Sequence, residues 1–526
     1  MPARRLHAPL AVSLTGLLLA AGCSDSSKAE KSDPPKVKPG AATQPQQQNG
    51  SYEKEGWFGA ADGLHARVQI KGVERQSGKS VLKYSVTSLD SAPKSVPFTV
   101  QLLDPVGRKL YRPIAATAGE QFPPNAPREM AAEYPPLPAG VQKVTAITPG
   151  TAGEFTGVPV TGSGDAPATS TTPPAGGTGG TTPAGTAPAG TAPAGGTGGT
   201  APASATGGAP AAGGANPAEL YDITEGEIKD VTSSGSDVTM NLRTDVLFAF
   251  NSAKLSGRAK SVLDDAAKEI KEKADPNKRP LTFNGHTDSK GSDQYNLKLS
   301  RERAESVMKE LKNRLGGAFK YSAHGKGEAE LIAKEGGADD AKARARNRRV
   351  EISYEVRQQA DGATSASTAA ADGRGGTVRP ADFRAQDGKT VASRFGRFGG
   401  DKRRLDVKPF YRDGAYIVAV FDLVNEGPGT TPPDAAYAHK DYPGGAFTSF
   451  SVSAPGGKDV FRAVRVGPAA TGSAPSTYLD PGRATFRTAV NQPVRGFAYI
   501  PAPPGPISSV VFDGGPFGKV NNVPVS

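Results

Sequence analysis

Gly285-His286-Thr287-Asp288-Ser289-Lys290-Gly291 precedes Tyr295-Asn296 and then Leu299-Ser300-Arg301-Glu302-Arg303-Ala304. Asn296, Leu299 and Arg303 are spaced by three and then four, so a helix that starts after the glycine-bounded turn carries an amide, an apolar contact and a guanidinium on one face. That face points back toward the turn holding Asp288. An acid and a base then flank one hollow. Such a pair suits a zwitterion: Asp288 accepts hydrogen bonds from an ammonium, and Arg303 grips a carboxylate with its planar fork. The same two residues could instead form only a local salt bridge that steadies the loop.

Other chemistries have fewer parts. His286 and Asp288 could supply two metal ligands, but no third His or Cys stands near them in sequence, so no metal site is expected. No Gly-x-Ser-x-Gly turn supports a nucleophilic serine, and His65, His324 and His439 are scattered. The Gly-rich stretches do not lie between a strand and a helix as a phosphate loop does. The chain is read as a binding protein and not an enzyme, with no cofactor.

The elements around the turn alternate between two periods. Val246, Phe248 and Phe250 fall at every second place, which predicts a strand over Leu242 to Phe250. Leu255, Ala259, Val262, Leu263, Ala266 and Ile270 fall at helical spacing, with Ser256 as the N-cap. Leu281 and Phe283 alternate again. Ala304, Val307, Met308, Leu311 and Leu315 mark a second amphipathic helix, and Phe319, Tyr321 and Ala323 a third strand. A short helix over Asp339 to Arg346 precedes a last alternation of Val350, Ile352, Tyr354 and Val356. Strands and helices in this order predict an α+β domain, a mixed sheet covered by helices.

Together these motifs resemble the OmpA-like C-terminal domain, the peptidoglycan-associated module of bacterial envelope proteins. The resemblance covers about Asp237 to Val356. It rests on Val246 to Phe250 with Asn251-Ser252, the Gly285 to Asp288 turn, Tyr295-Asn296 to Arg303-Ala304, Gly325-Lys326-Gly327 and Asn347-Arg348-Arg349-Val350-Glu351-Ile352. It implies that Asp288 and Arg303 bind the free end of the diaminopimelate in the peptidoglycan stem peptide, with no covalent chemistry. Asn296 and Thr287 are implied to line the pocket beside Leu299, and Asn251 stands where the family more often has Asp. Arg348 and Arg349 read as part structural and part electrostatic, since charge on an edge strand opposes aggregation.

The rest of the chain bears on location. Arg4, Arg5 and His7 precede an apolar stretch from Leu10 to Leu19, and Ala20-Ala21-Gly22-Cys23 ends in the only cysteine of the 526 residues. This is the pattern of a secretory signal with its cleavage site. It resembles a bacterial lipoprotein signal peptide over 1–22, which implies lipidation of Cys23, with Leu19 one place further from the cysteine than the usual lipobox leucine. Two or more acyl chains, at roughly 0.8 kcal/mol per buried methylene, would hold the mature protein on a membrane. No later stretch approaches the roughly 18 apolar residues of a span, so the protein is expected to be anchored and not spanning. With one cysteine, an intrachain disulfide is excluded.

The chain holds 65 glycines and 46 prolines, and the stretches between the folded pieces are rich in them. Residues 23–50 read as a disordered tether. Residues 162–217, built of near-repeats such as Thr186-Ala187-Pro188-Ala189-Gly190, form a flexible linker of roughly 40 Å root-mean-square length if they behave as a coil. A third break runs over 358–376. The folded pieces are then 51–161, 218–357 and 377–526. The excess of 63 Lys and Arg over 52 Asp and Glu, a net +11, favours anionic polymers or headgroups. Secretion and the lack of aromatics among the basic clusters remove nucleic acid as a partner.

The first and third pieces are related to each other. Tyr134 to Thr161 and Tyr499 to Ser526 superpose without a gap, matching Tyr134 with Tyr499, Pro136 with Pro501, Gly150 with Gly515, Gly153 with Gly518 and Val158-Pro159-Val160 with Val523-Pro524-Val525. Upstream, Ser80 to Leu89 and Ala415 to Val424 are β-branched and aromatic runs that read as strands. Two all-β, sandwich-like domains are expected around the α+β domain.

These observations predict a cell-envelope protein, lipid-anchored on the outer face of the cell membrane, or of an outer membrane where one exists. Its middle domain holds peptidoglycan and ties membrane to wall. The rival reading is an adaptor whose β domains bind another envelope protein, with the middle domain as an address.

Overall fold

A computed structural model describes residues 52–59, 63–115, 119–162, 216–337, 340–357, 379–429, 435–470, 475–481 and 489–526. The signal segment, Cys23, the first tether, nearly all of the 162–217 linker and the 358–376 break lie outside the described residues. Among the described residues, no helix is long and apolar enough to cross a membrane.

The N-terminal β unit contains β1 (Tyr52–Phe58), β2 (Leu64–Gln76), β3 (Lys79–Ser88), β4 (Lys94–Val96), β5 (Gln101–Asp104), β6 (Lys109–Tyr111), β7 (Glu120–Phe122), β8 (Pro127–Tyr134), β9 (Lys143–Ile147) and β10 (Glu154–Thr161). β1, β2, β3 and β8 pair antiparallel in that order, while β6, β5, β9 and β10 form a second antiparallel run. Alternation along β2 turns Leu64, Ala66, Val68 and Ile70 inward, where they meet Tyr84, Phe98, Leu102, Val144 and Phe155 in one core.

The middle unit follows with β11 (Ala218–Glu225), β12 (Lys229–Ser233), β13 (Asp237–Arg243), α1 (Thr244–Leu247), α2 (Ala259–Lys273), β14 (Leu281–His286), α3 (Asp293–Leu315), β15 (Tyr321–Gly327), α4 (Asp340–Asn347) and β16 (Arg349–Glu355). Its sheet runs β12, β13, β16, β14, β15, antiparallel except for the parallel β14–β15 pair. Leu263, Ala266 and Ile270 of α2 and Ala304, Val307 and Leu311 of α3 pack with Met240, Leu242, Phe283 and Ile352. The opening strand lies earlier than its apolar alternation suggested. Val238, Met240 and Leu242 of β13 face the core, residues 244–247 turn helical, and Phe250 is 94% exposed. The N-cap position of α2 is Arg258 and not Ser256, although the Ser256 hydroxyl accepts from the Ala259 amide at 3.2 Å in the turn before the helix.

The C-terminal β unit contains β17 (Ala392–Phe398), β18 (Asp401–Val407), β19 (Tyr411–Asp413), β20 (Tyr416–Gly427), β21 (Ser451–Ser453), β22 (Val460–Arg462), β23 (Arg465–Val466), β24 (Thr477–Tyr478), β25 (Pro493–Pro501), β26 (Ser509–Asp513) and β27 (Lys519–Pro524). Its pairings echo the first unit: β17, β18, β20 and β25 in one run, β22, β21, β26 and β27 in the other. The matched sequence segments occupy equivalent places. Tyr134 and Tyr499 lie in β8 and β25, and the β9–β10 and β26–β27 hairpins follow with a register shift in each. Gly153 and Gly518 both take positive φ, 71° and 77°, just before the last strand, where a side chain would be strained.

These units are not separate beads, for the described residues between 52 and 526 belong to one compact unit. β11 pairs with β6 of the first unit, with β12 of the middle unit, and with β22 and β23 of the last. Around it a shared core joins Leu103, Leu110 and Ile147, Leu220 of β11, and Tyr416, Val418, Val420, Val464, Phe497 and Tyr499. A buried polar group crosses the same seam. Tyr411 donates to Glu154 at 2.6 Å, Arg495 reaches Glu154 and Asp387, and Thr145 and Tyr499 both donate to Asp413.

Candidate functional site

Two facing glycines let α3 settle onto the sheet. Gly285 of β14 pairs with Gly325 of β15. A Cβ at Gly285 would lie 1.9 Å from the Ser300 carbonyl oxygen, and one at Gly325 would lie 2.6 Å from that of Leu297. Backbone approach this close requires glycine. Ser300 completes the contact by accepting from the Gly327 amide at 3.0 Å. α3 is capped by Ser292, whose hydroxyl accepts from the Tyr295 amide. Its first three turns therefore stand in a fixed position over the end of β14.

At that strand end the Thr287 amide donates to the Gly327 carbonyl at 2.9 Å, and the chain turns into the Asp288 loop. Asp288 Oδ1 accepts from the Lys290 amide at 3.2 Å. Asn296, buried in α3, gives its amide group to the Lys290 carbonyl (3.1 Å) and to Glu328 (2.7 Å), so it braces the loop from behind. Leu299 is buried beside it. Thr287 is buried with its Oγ1 unpartnered. His286 is fully buried with neither ring nitrogen hydrogen-bonded, and burial, with Arg349 and Lys326 nearby, pulls its pKa down to about 3. It is a neutral buried histidine, with Nε2 3.9 Å from Glu351.

Arg303 is 5% exposed, with Nε donating to the Ser252 carbonyl at 3.0 Å and its guanidinium 5.5 Å from the Phe248 ring centre. Among the described residues, its Nη donors have no hydrogen-bond partner. The Ser252 carbonyl belongs to the turn in which the exposed Asn251 takes a φ of 51°, a conformation Asn tolerates. Burial lowers the pKa of Arg303, opposed by Asp245, Tyr295 and Asp288, while Arg348 adds to the lowering. Arg303 and Asp288 thus share one electrostatic neighbourhood. The ion pair to Asp288 itself comes from Arg348, whose Nη1 lies 2.6 Å from Oδ2. The other edge of Arg348 closes on both oxygens of Asp245, at 2.9 and 2.5 Å. Hydrogen bonding to Asp245 and then Asp288, acting against burial, raises the Arg348 pKa.

The sequence reading missed Arg348 as the partner of Asp288, and Asp245 as the second partner of Arg348. It also missed Glu335, which accepts from the Ser289 hydroxyl at 2.6 Å. Their only sequence signal was the charge of the Asn347-Arg348-Arg349 run. Charged groups converge here from α1, the 288 loop, α3 and the junction between α4 and β16.

The sequence profile of the OmpA family matches residues 247–348, the stretch that contains all of these groups. Those residues are an OmpA-family domain. Outer membrane protein A of Serratia marcescens is 40% identical over 91 residues, 17% of this chain and 25% of that protein. The probable lipoprotein YiaD of Escherichia coli K12 is 34% identical over 135 residues, 26% of this chain and 59% of that protein. The chain thus spans from a quarter to about three-fifths of these relatives' length. Among solved structures, the peptidoglycan-associated lipoprotein of Burkholderia pseudomallei is 30% identical and covers 22% of this chain and 88% of its own, with a TM-score of 0.18. The cell wall anchor of the type VI secretion system of Pseudomonas aeruginosa is 29% identical over 24% of this chain and 88% of its own, with a TM-score of 0.22. The OmpA-like domain carries the mixed sheet with helices packed on it. The β units flank it in sequence.

Proposed function

We propose that the chain is a lipid-anchored envelope protein whose OmpA-like domain binds peptidoglycan non-covalently through the diaminopimelate of the stem peptide, tethering membrane to wall. The observation that carries this reading is that, among the described residues, the Nη donors of Arg303 have no partner while the Asp288 carboxylate acts on the same guanidinium, inside the OmpA-family segment. The free carboxylate of diaminopimelate takes the Arg303 fork, and its ammonium shares Asp288 with Arg348. Asn296, Thr287, Leu299 and the Asn251 turn shape the hollow. Nothing in this scheme makes or breaks a covalent bond, so the protein acts as a binder and not as an enzyme.

Related proteins bear names that place them at the envelope, namely outer membrane protein A, a probable lipoprotein and a peptidoglycan-associated lipoprotein. Lipidation at Cys23 after cleavage of 1–22, the tether over 23–50 and the linkers over 162–217 and 358–376 complete the proposal. Residues 51–161 and 377–526 serve as sandwich-like β domains on either side of 218–357. A polymer that presents many stems to a tethered protein raises the effective concentration, so single-site affinity need not be high. The test is sedimentation of the mature chain with purified sacculi. Asp288→Ala and Arg303→Ala each abolish it on this reading, whereas undiminished sedimentation of both variants contradicts it.

The adaptor reading draws on Phe395, which is 67% exposed on the β17–β18 hairpin as a docking point for another envelope protein. It requires that Phe395→Ser remove a phenotype while leaving wall association intact.

A further inference from the structure

We propose that the C-terminal β unit is a working part of the wall-binding site: Asp441 fixes the 331–337 loop, and that loop, through Glu335, fixes the Ser289 turn next to Asp288. The inference deepens the peptidoglycan reading and rests on it. Asp441 lies outside the segment that matches the OmpA family, so the device belongs to this chain's own architecture.

The loop has no regular backbone pairing of its own and depends on side chains. Asn347 supplies the inner hold: Oδ1 accepts from the Ile332 and Ala333 amides, and Nδ2 donates to the Ala333 carbonyl and to Glu335 Oε1. Asp441 supplies the outer hold. Its Oδ1 accepts from the Lys334 amide at 3.2 Å, and its Oδ2 lies 2.6 Å from Arg346 Nη1. One carboxylate, only 3% exposed, therefore grips both the loop backbone and α4. The grip is braced on its own side, since Tyr442 donates to Glu225 at 2.6 Å and accepts from Arg346 at 2.8 Å, while Arg462 pairs with Glu225.

With the loop held, Glu335 Oε2 takes the Ser289 hydroxyl at 2.6 Å and faces the Ser289 amide at 3.4 Å, one residue from Asp288. Three consecutive residues carry the connection. Arg346 docks on the C-terminal unit, Asn347 holds the loop, and Arg348 holds Asp288 and Asp245. Loops without such anchors open locally at little cost. A site whose order is prepared before binding loses less entropy when the ligand arrives. Asp441 is thus a positioning residue for the stem-binding site, acting through Lys334 and Glu335.

The experiment uses the mature full chain as wild type, Asp441→Ala, Asp441→Asn, Glu335→Gln and the Asp441→Ala/Glu335→Gln double variant. Three quantities are measured: thermal melting, amide hydrogen exchange at Lys334 and Ser289, and titration with meso-diaminopimelate. Asp441→Ala should speed exchange at both amides and weaken diaminopimelate binding about tenfold, within the usual range of a coupling between sites. Asp441→Asn, which keeps an oxygen for the Lys334 amide, should restore protection at Ser289. The double variant should bind no more weakly than the weaker single variant, because both substitutions cut one connection. Unchanged Ser289 exchange in Asp441→Ala, or additive losses in the double variant, overturns the proposal. If wild type ignores diaminopimelate, the peptidoglycan reading fails by itself, and the exchange data still decide whether Asp441 orders the turn.

Discussion

Arg348 places a guanidinium nitrogen 2.6 Å from Asp288, so the acid expected to face Arg303 is held by a different arginine sixty residues further along the chain. Arg303 is turned instead onto the Ser252 carbonyl and the Phe248 ring. In the proposed site, Asp288 would therefore meet a ligand ammonium already partly neutralised, leaving the Nη donors of Arg303 to take the carboxylate. Selectivity is then expected to lie more with the carboxylate than with the amine.

Arg303→Lys tests that asymmetry. Lysine keeps the charge but loses the planar fork and the Nε bond to Ser252. Sacculus sedimentation should fall well below wild type while staying above that of Arg303→Ala. Equal retention by Lys and wild type would show that point charge alone suffices.

Gly285→Ala should damage the fold and the site together. The new methyl meets the Ser300 carbonyl oxygen at 1.9 Å, and a backbone atom has little room to yield. Displacing α3 from β14 costs on the order of 1–3 kcal/mol, the usual range for overpacking. Chemical denaturation should show that loss, and sacculus binding should drop because Asn296 and Arg303 ride on the displaced helix.

Leu220→Ala should loosen all three units at once. Leu220 is fully buried in the core shared by β11 and both β units. Removing a large buried aliphatic side chain costs roughly 2–5 kcal/mol. A single cooperative urea transition shifted to lower denaturant is the expected result, and a wild-type midpoint would show that the seam contributes nothing.

The seam also predicts a pH response. Burial pushes the Asp413 carboxyl up to about 6, against the hydrogen bonds from the Ala381 amide, Thr145 and Tyr499, with Glu154 adding to the rise. Its folded value exceeds its unfolded one, so its contribution is full below the ordinary carboxylate range and is lost as pH rises through about 6. Glu154 behaves oppositely. Burial would raise it, but Arg495 and Lys54 hold it down to about 2, so its contribution is full above the ordinary carboxylate range and is lost as pH falls through about 2. Of these two groups, Asp413 gives the larger change between pH 4 and 7, roughly 2–3 kcal/mol. Unfolding free energy of Asp413→Asn should lack the decline with rising pH that wild type shows over this window; parallel curves would contradict the assignment.

Strong local periodicity made α2, α3, β14 and β16 legible in the sequence, because each buries a face that its own residues spell out. The alternation of Val246, Phe248 and Phe250 misled, since its last ring is exposed and the true strand is the polar-apolar run Asp237 to Arg243. Asp288 and Arg303 could be named from a local turn-and-helix pattern. Arg348, Asp245, Glu335 and Asp441 could not, because their partners arrive by tertiary folding from far along the chain. The short β11 reads as ordinary in sequence, and its role in joining three units depends on strands hundreds of residues apart.

Calorimetric titration of the mature chain with meso-diaminopimelate, and separately with lysine, tests the central claim most directly. Saturable binding of diaminopimelate in clear preference to lysine, lost in both Asp288→Ala and Arg303→Ala, is the predicted result. Equal binding of the two amino acids, or full binding by both variants, would contradict it.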